Sequence, residues 1–365
     1  LTEKFSQSTS LDRGADEVTQ TLNLYMGDIL EEMLAFGGDI LKFAGDAVLV
    51  LWRVNQAQLS DTISLVLQCS QRIQQMYRVQ RTDVGLKLRL KIGISAGHMS
   101  YVTLGDEKER RFLILGQAVD DVWQAQHAAG ASDVILSARC WELCDQRRIR
   151  TRRLDGCAVK VGVMASRAHH ATSDHPALPP LGILRPAVTL PPYNVLGKQL
   201  HKYIPATVVR KINDGQTLDC LSELRPVSCL FVKLHFAKDV TLEHMCKGIQ
   251  DSSVIISGII CPYKGEINKI LLFDKGCTLL SVFGLPGDKV PSESVHALES
   301  ALRISRVCVS RFTKIEGVSV GVTTGTVFCG VVGHRMRHEY TVIGQKVNLA
   351  ARLMEGYPGV VSCDA

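Results

Sequence analysis

Residues 319–347 read SVGVTTGTVFCGVVGHRMRHEYTVIGQKV, and residues 91–119 read KIGISAGHMSYVTLGDEKERRFLILGQAV. Aligned without a gap, Gly93 meets Gly321, Gly97 meets Gly325, Gly105 meets Gly333, and Gly116-Gln117 meets Gly344-Gln345, each pair 228 residues apart. Glycines in common register mark backbone positions that do not tolerate a side chain, and unrelated segments rarely share them. The chain therefore holds two diverged copies of one unit.

The likeness continues upstream. Phe36-Gly37-Gly38, then Asp39 to Trp52 around Gly45-Asp46, reads as helix end, turn, strand, tight turn and strand. Its counterpart is Lys264-Gly265, then Glu266 to Phe283 around Asp274-Lys275-Gly276. An amphipathic helix precedes each hairpin, with apolar Val18, Leu22, Met26, Ile29, Leu30 and Met33 in the first copy. Met245, Ile249, Val254, Ile255 and Ile259 do the same more loosely in the second. Each unit is then a helix, a hairpin, a helix, a strand pair around the glycine core, and a last helix. The expected result is an α+β layer fold, an antiparallel-rich sheet with helices on one side. The second copy opens at Leu224-Arg-Pro226, with a strand from Val227 to Leu234. Between the copies Pro176, Pro179-Pro180, Pro186 and Pro191-Pro192 read as a linker, since proline at that density supports neither helix nor sheet interiors.

Composition narrows the function classes. With 365 residues, 46% hydrophobic and 21% charged, the chain can bury two ordinary cores. A net charge of +6 without a basic stripe suits an anionic small molecule and argues against nucleic acid. No run approaches the roughly 18 apolar residues of a membrane span, and no signal peptide opens the chain. Twelve cysteines without a CxxC, Cys140 and Cys144 being the closest pair, read as reduced thiols, so a cytoplasmic protein is expected. Leu1 is not a start methionine and Ala365 follows a strand-like segment, so a fragment is expected.

Three residues suggest chemistry. Asp46 sits in the turn Gly45-Asp46-Ala47. Turn chemistry explains it on local grounds; the alternative is an oxygen ligand for Mg²⁺ beside substrate phosphates. Asn348 and Arg352 are four apart on the helix predicted after Gly344, so they share a face. That face is either plain solvated surface or an amide and a guanidinium placed to stabilise charge growing on a phosphoryl group. The first copy has Asp120 and Gln124 there, so the two copies are chemically unlike.

The stretches Phe36–Trp52, Phe112–Asp121, Leu272–Gly276 and Arg337–Arg352 together resemble the class III nucleotidyl cyclases. Within that family they are most similar to the soluble, bicarbonate-regulated (type 10) adenylyl cyclases of animals. The resemblance spans most of the chain apart from the linker. It implies two tandem catalytic domains, each a ferredoxin-like antiparallel sheet with helices, packed as a pseudo-symmetric heterodimer. The divisions are 1–160, a Pro-rich linker with connecting helices at 161–222, and 223–365. It implies conversion of ATP to 3′,5′-cyclic AMP and pyrophosphate with two Mg²⁺, Mn²⁺ or Ca²⁺ substituting at one position. By the same resemblance Asp46 is a metal ligand, Lys269 and Thr341 read adenine, Lys91 binds triphosphate, and Asn348 with Arg352 orients ribose and stabilises the transition state. Lys42 matches a bicarbonate-site lysine.

Two departures follow. The family's first metal aspartate lies on a strand upstream of the Thr2–Phe5 segment, and the second copy has Lys233 in the equivalent region. The chain alone is therefore expected to be inactive or nearly so. The bicarbonate-site arginine falls at Trp123, which removes an anion's bidentate partner. The competing expectation is a degenerate nucleotide-binding or regulatory module that kept the fold. Retention of Asp46, Lys269, Asn348 and Arg352 favours the enzyme, and Lys269 disfavours guanine, which calls for an acidic residue there.

Overall fold

The computed structural model describes residues 11–45, 47–77, 89–154, 158–164, 193–217, 221–273, 276–334 and 336–365. The first half runs α1 (Leu11–Ala35), β1 (Asp39–Ala44), β2 (Ala47–Leu51), α2 (Leu59–Tyr77), β3 (Ile92–Ile94), β4 (Ser100–Gly105) and β5 (Arg110–Leu115). It continues through α3 (Gln117–Ala128), β6 (Val134–Leu136), α4 (Ala138–Leu143), β7 (Ile149–Arg153) and β8 (Val159–Met164). Helices α5 (Tyr193–His201) and α6 (Ala206–Asn213) connect it to the second half. There follow β9 (Glu223–Phe236), α7 (Leu242–Ile260), β10 (Glu266–Phe273), β11 (Gly276–Phe283) and α8 (Glu293–Arg311). The chain closes with β12 (Ile315–His334), β13 (Arg337–Ile343), α9 (Gln345–Gly356) and β14 (Val361–Cys363).

The second half is built on one sheet in the order β10-β11-β9-β12-β13, with β14 parallel to β12 and every other pairing antiparallel. Alternation along its strands divides the apolar residues between two faces. Leu230, Val232 and Leu234 of β9 and Val318, Val320 and Val322 of β12 pack with Ile249, Ile256 and Ile260 of α7 and Ala297, Ala301 and Ile304 of α8. Val227, Cys229, Val327, Cys329 and Val331 pack with Val347 and Ala350 of α9 and Val208 of α6. Helices therefore cover both faces, not one, because β9 and β12 are apolar on both sides. The strand expected from Val227 starts at Glu223 instead, running through an exposed Pro226. β11 ends opposite Ser228, so β9 has an open side at Pro226 where a missing N–H is tolerated.

Helix α7 begins at Thr241, whose hydroxyl caps the His244 N–H. It buries Ile249, Ser252, Ser253, Ile256, Ile259 and Ile260, whereas Val254, expected on that face, is exposed. In α1, Ile29 and Leu30 are buried as expected; the side chains of Val18 and Leu22 lie outside the described residues.

Two of the shared glycines show why they recur. A Cβ on Gly321 would lie 2.0 Å from the Ala350 oxygen of α9, and one on Gly93 would lie 2.6 Å from the Val122 oxygen of α3. In each copy a helix thus sits directly on the strand backbone. Gly105 and Gly333 have φ of +111° and +132°, and there a Cβ would meet the Glu109 or Arg337 oxygen at 2.0 or 2.3 Å.

The first half's strands form three ladders, β1-β2, β4-β5 and β3-β6-β8-β7. The halves share core. Leu104, Leu113 and Leu115 of β4 and β5 join the cluster of α7 and β10. Phe328 and Val332 of β12 join Leu30, Ile40 and Phe43 of α1 and β1. Among the described residues no helix is long and apolar enough to cross a membrane.

Candidate active site

Both hairpins carry a register shift at the same place, between Ile40 and Lys42 in β1 and between Ile267 and Lys269 in β10. A bulge re-aims the side chain that follows it, and here both lysines cross to the opposite half. Lys269 Nζ, 4% exposed, donates to the Phe43 carbonyl at 2.7 Å. Lys42 Nζ donates to the Ile270 carbonyl at 2.5 Å and reaches the Phe112 carbonyl at 3.5 Å. The Lys42 ammonium also lies 5.5 Å from the Phe112 ring centroid, within cation–π range. Burial pushes the Lys42 amine down to about 8; Glu339 opposes this, while Lys269, Arg111 and Arg337 add to it.

Arginines reach the carbonyls preceding each bulge from the opposite half. Arg111 donates to the Ile267 oxygen at 2.7 Å, and Arg337 to the Ile40 oxygen at 3.4 Å and the Leu41 oxygen at 3.3 Å. Glu339 ties the arrangement together. One oxygen accepts from Lys269 at 3.0 Å and the other from the Phe43 N–H at 3.2 Å. Thr341 lies two residues further along β13, on the same side by strand alternation. Its side chain is fully buried, and its hydroxyl has no hydrogen-bond partner among the described residues. A buried hydroxyl left unpaired is costly unless a ligand completes it. Lys269 on β10 thus meets β13 at Glu339, two residues before the buried Thr341.

Helix α9 buries Val347, Ala350, Ala351 and Met354 and leaves Asn348 and Arg352 exposed on the opposite face. Neither of these side chains has a polar partner among the described residues, so both are available to an anion. Lys91 is exposed just before β3. Asp46 lies outside the described residues. Among the described residues no group of three or more His, Cys, Asp or Glu could hold a metal.

In the first half Asp120 and Gln124 are exposed on α3 and Trp123 is half-buried between them. Lys42, Leu49, Phe112, Leu113, Ile114 and Ile270–Leu272 line a cavity of about 10 Å³, close to the size of one water. Lys233 is paired with Glu355 at 3.0 Å. Sequence reasoning missed Glu339, Arg337 and Arg111. The available signal was a charge swap at one register, Glu109-Arg110-Arg111 in the first copy against Arg337-His338-Glu339 in the second.

Residues 266–360 match the family described as the adenylate and guanylate cyclase catalytic domain. Adenylate cyclase type 10 of Oryctolagus cuniculus is 46% identical over 382 aligned residues, covering 100% of this chain and 23% of the relative. The protein of the same name from Homo sapiens is 46% identical over 377 aligned residues with the same coverage. The chain thus spans about a quarter of the length of these curated relatives. Among solved structures, the adenylyl cyclase CyaB from P. aeruginosa is 22% identical, with a TM-score of 0.34, covering 39% of this chain and 78% of that one.

Proposed function

From a chain that carries a class III cyclase catalytic domain at residues 266–360 and is related along its whole length to type 10 adenylate cyclases, we propose an adenylyl cyclase with one substrate site between its two halves. The observation that carries this reading is that buried Lys269 pairs with Glu339 on β13, two residues before Thr341, whose buried hydroxyl has no partner among the described residues. Adenine offers N1 as an acceptor beside the N6 donor. An ammonium donates to the first and a hydroxyl accepts from the second. Guanine has a donor at N1, which an ammonium cannot satisfy.

The halves pair as a pseudo-symmetric heterodimer in this reading. Reciprocal contacts support it. Lys42 donates to Ile270 and Lys269 to Phe43. Gly105 N–H donates to the Gln250 side chain and Gly333 N–H to that of Asn23. Each contact recurs with the partners exchanged between copies, as a two-fold interface requires.

Substrate ATP lies with its base against Lys269 and Thr341. Asn348 orients the ribose, Arg352 offsets charge growing at the α-phosphorus, and Lys91 binds the triphosphate. The ribose 3′-oxygen forms a bond to the α-phosphorus as the bond to the β-phosphate oxygen breaks, giving 3′,5′-cyclic AMP and pyrophosphate. Asp46 would be the carboxylate that this chain offers to Mg²⁺ beside the substrate phosphates, and Mn²⁺ or Ca²⁺ would substitute for one ion. When bound, such a metal would supply an easier loss of the 3′-hydroxyl proton and offset phosphate charge.

Incubation with ATP or GTP and Mn²⁺, followed by separation of the products, tests the reading. The protein is taken as it stands and in a form extended upstream of Leu1. Cyclic AMP from ATP, with cyclic GMP from GTP at least tenfold lower, is the expected result. No cyclic nucleotide from either form would leave the degenerate-module reading in its place.

A further inference from the structure

We infer that the outer edge of β7 is a docking site for an extended acidic segment of another protein, taken up as an added strand. The net charge of +6 suggested no basic stripe, yet residues 147–153 read Arg-Arg-Ile-Arg-Thr-Arg-Arg, five arginines in seven residues. Strand β7 ends the ladder β3-β6-β8-β7, and its partner among the described residues is β8. The opposite edge of such a strand turns backbone N–H and C=O groups outward, the template to which an extended peptide adds. Arg150, Thr151, Arg152 and Arg153 are all exposed. Among the described residues Arg150, Arg152 and Arg153 have no carboxylate within ion-pair distance. Arg152 also lies directly opposite Lys160 of β8, a like-charge pair that costs stability. Lys160 is itself taken up by Asp133 at 2.7 Å. The sheet therefore concentrates positive charge on its last strand without offsetting it.

Charge and shape together select the occupant. Strand alternation puts Arg150 and Arg152 on one face of the sheet and Arg153 on the other. A membrane, being flat, meets one face at a time, whereas a chain lying along the edge presents side chains to both. A second copy of β7 would set arginine against arginine, so the edge repels its own kind. The linker at 165–192 holds one carboxylate, Asp174, against Arg167 and Arg185, and so lacks the charge to match. An acidic segment from a separate protein meets both requirements. Its backbone pairs along the edge, and its Asp or Glu side chains accept paired hydrogen bonds from the guanidinium groups.

The test is fluorescence anisotropy of a labelled peptide, Thr-Glu-Glu-Val-Glu-Glu-Val-Glu-Glu-Thr, titrated with the whole chain. The same peptide with glutamine for every glutamate should bind at least about tenfold more weakly. A form with proline for both valines keeps the charge but removes an N–H from each edge of the peptide, and should bind at least about fivefold more weakly. On the protein, Arg150→Gln, Arg152→Gln and Arg153→Gln together should weaken binding at least about tenfold with the melting temperature unchanged, since all three side chains are exposed. Arg152→Gln alone, with a loss of about threefold, serves if the triple variant does not fold. No binding of the acidic peptide up to about 1 mM would overturn the inference. So would equal binding by the glutamine peptide, by the proline peptide or by the folded variant. Stronger competition from phosphatidylserine vesicles or a single-stranded oligonucleotide than from unlabelled peptide would overturn it in favour of a membrane or a nucleic acid.

Discussion

Lys42 and Lys269 occupy matching places after the bulges of two hairpins, and each donates to a backbone oxygen of the other's strand, Lys42 to Ile270 and Lys269 to Phe43. The geometry is shared, but the surroundings are not. Lys269 has Glu339 at 3.0 Å and the unpaired Thr341 nearby, whereas Lys42 lies on Phe112 beside a cavity of about 10 Å³. In the proposed function one of the two places is a base site and the other is closed by its own side chains.

Gly333→Ala tests the packing between the halves. At φ +132° a Cβ would come 2.3 Å from the Arg337 oxygen, and the Gly333 N–H reaches across to Asn23 at 3.1 Å. Strain and lost contact should together cost roughly 2–4 kcal/mol, read as a lower denaturation midpoint. Gly356→Ala is the control, since a Cβ there meets nothing within 4 Å.

Arg352→Ala separates chemistry from folding. The side chain is exposed on α9, so stability should change by no more than about 0.5 kcal/mol. In a form extended upstream of Leu1 the turnover rate should fall on the order of 10²–10³, as for loss of a transition-state donor. A matching fall in stability would point to a structural role instead.

Glu266 makes stability depend on pH. The Thr207 hydroxyl lies 3.0 Å from Glu266 and 3.1 Å from Asp288, but its one proton serves only one carboxylate. Burial first, and Glu109 beside it, push Glu266 from 4.5 up to about 6. Between those values the folded state holds more protons than the unfolded one, so this contribution is present below pH 4.5 and is lost as pH rises through 6. Glu266→Gln should leave stability near pH 4.5 unchanged and raise it by about 2 kcal/mol at pH 8. Urea midpoints at the two pH values check the difference.

Bicarbonate should not stimulate this protein. The Lys42 amine is spent on Ile270 and Phe112, the cavity beside it holds about 10 Å³, and Trp123 stands where an arginine is expected. In the extended form, rates with and without bicarbonate at constant pH and ionic strength should agree within about twofold, since the indole of Trp123 offers the anion no bidentate partner.

Much of this was legible in the sequence because glycine spacing reports backbone approach directly. Gly93 and Gly321 in register marked positions that tolerate no side chain, and in the structure α3 and α9 rest on them. The hairpins and the exposed pair Asn348 and Arg352 followed from alternation and helical periodicity. Helices on both faces were not foreseen, because the long apolar run of β12 says only that the strand is buried, not what covers each side. Glu339 was not foreseen either. Its partners Lys269 and Phe43 are 70 and 296 residues away and meet it only where the halves touch.

The most direct test of the account is cyclic AMP formed from ATP and Mn²⁺ by the form extended upstream of Leu1, with Asp46→Ala measured beside it. The account predicts product from the parent protein and a loss of at least about a hundredfold in the variant, because in the proposed function Asp46 supplies carboxylate charge to the metal. Equal rates from the two would contradict it.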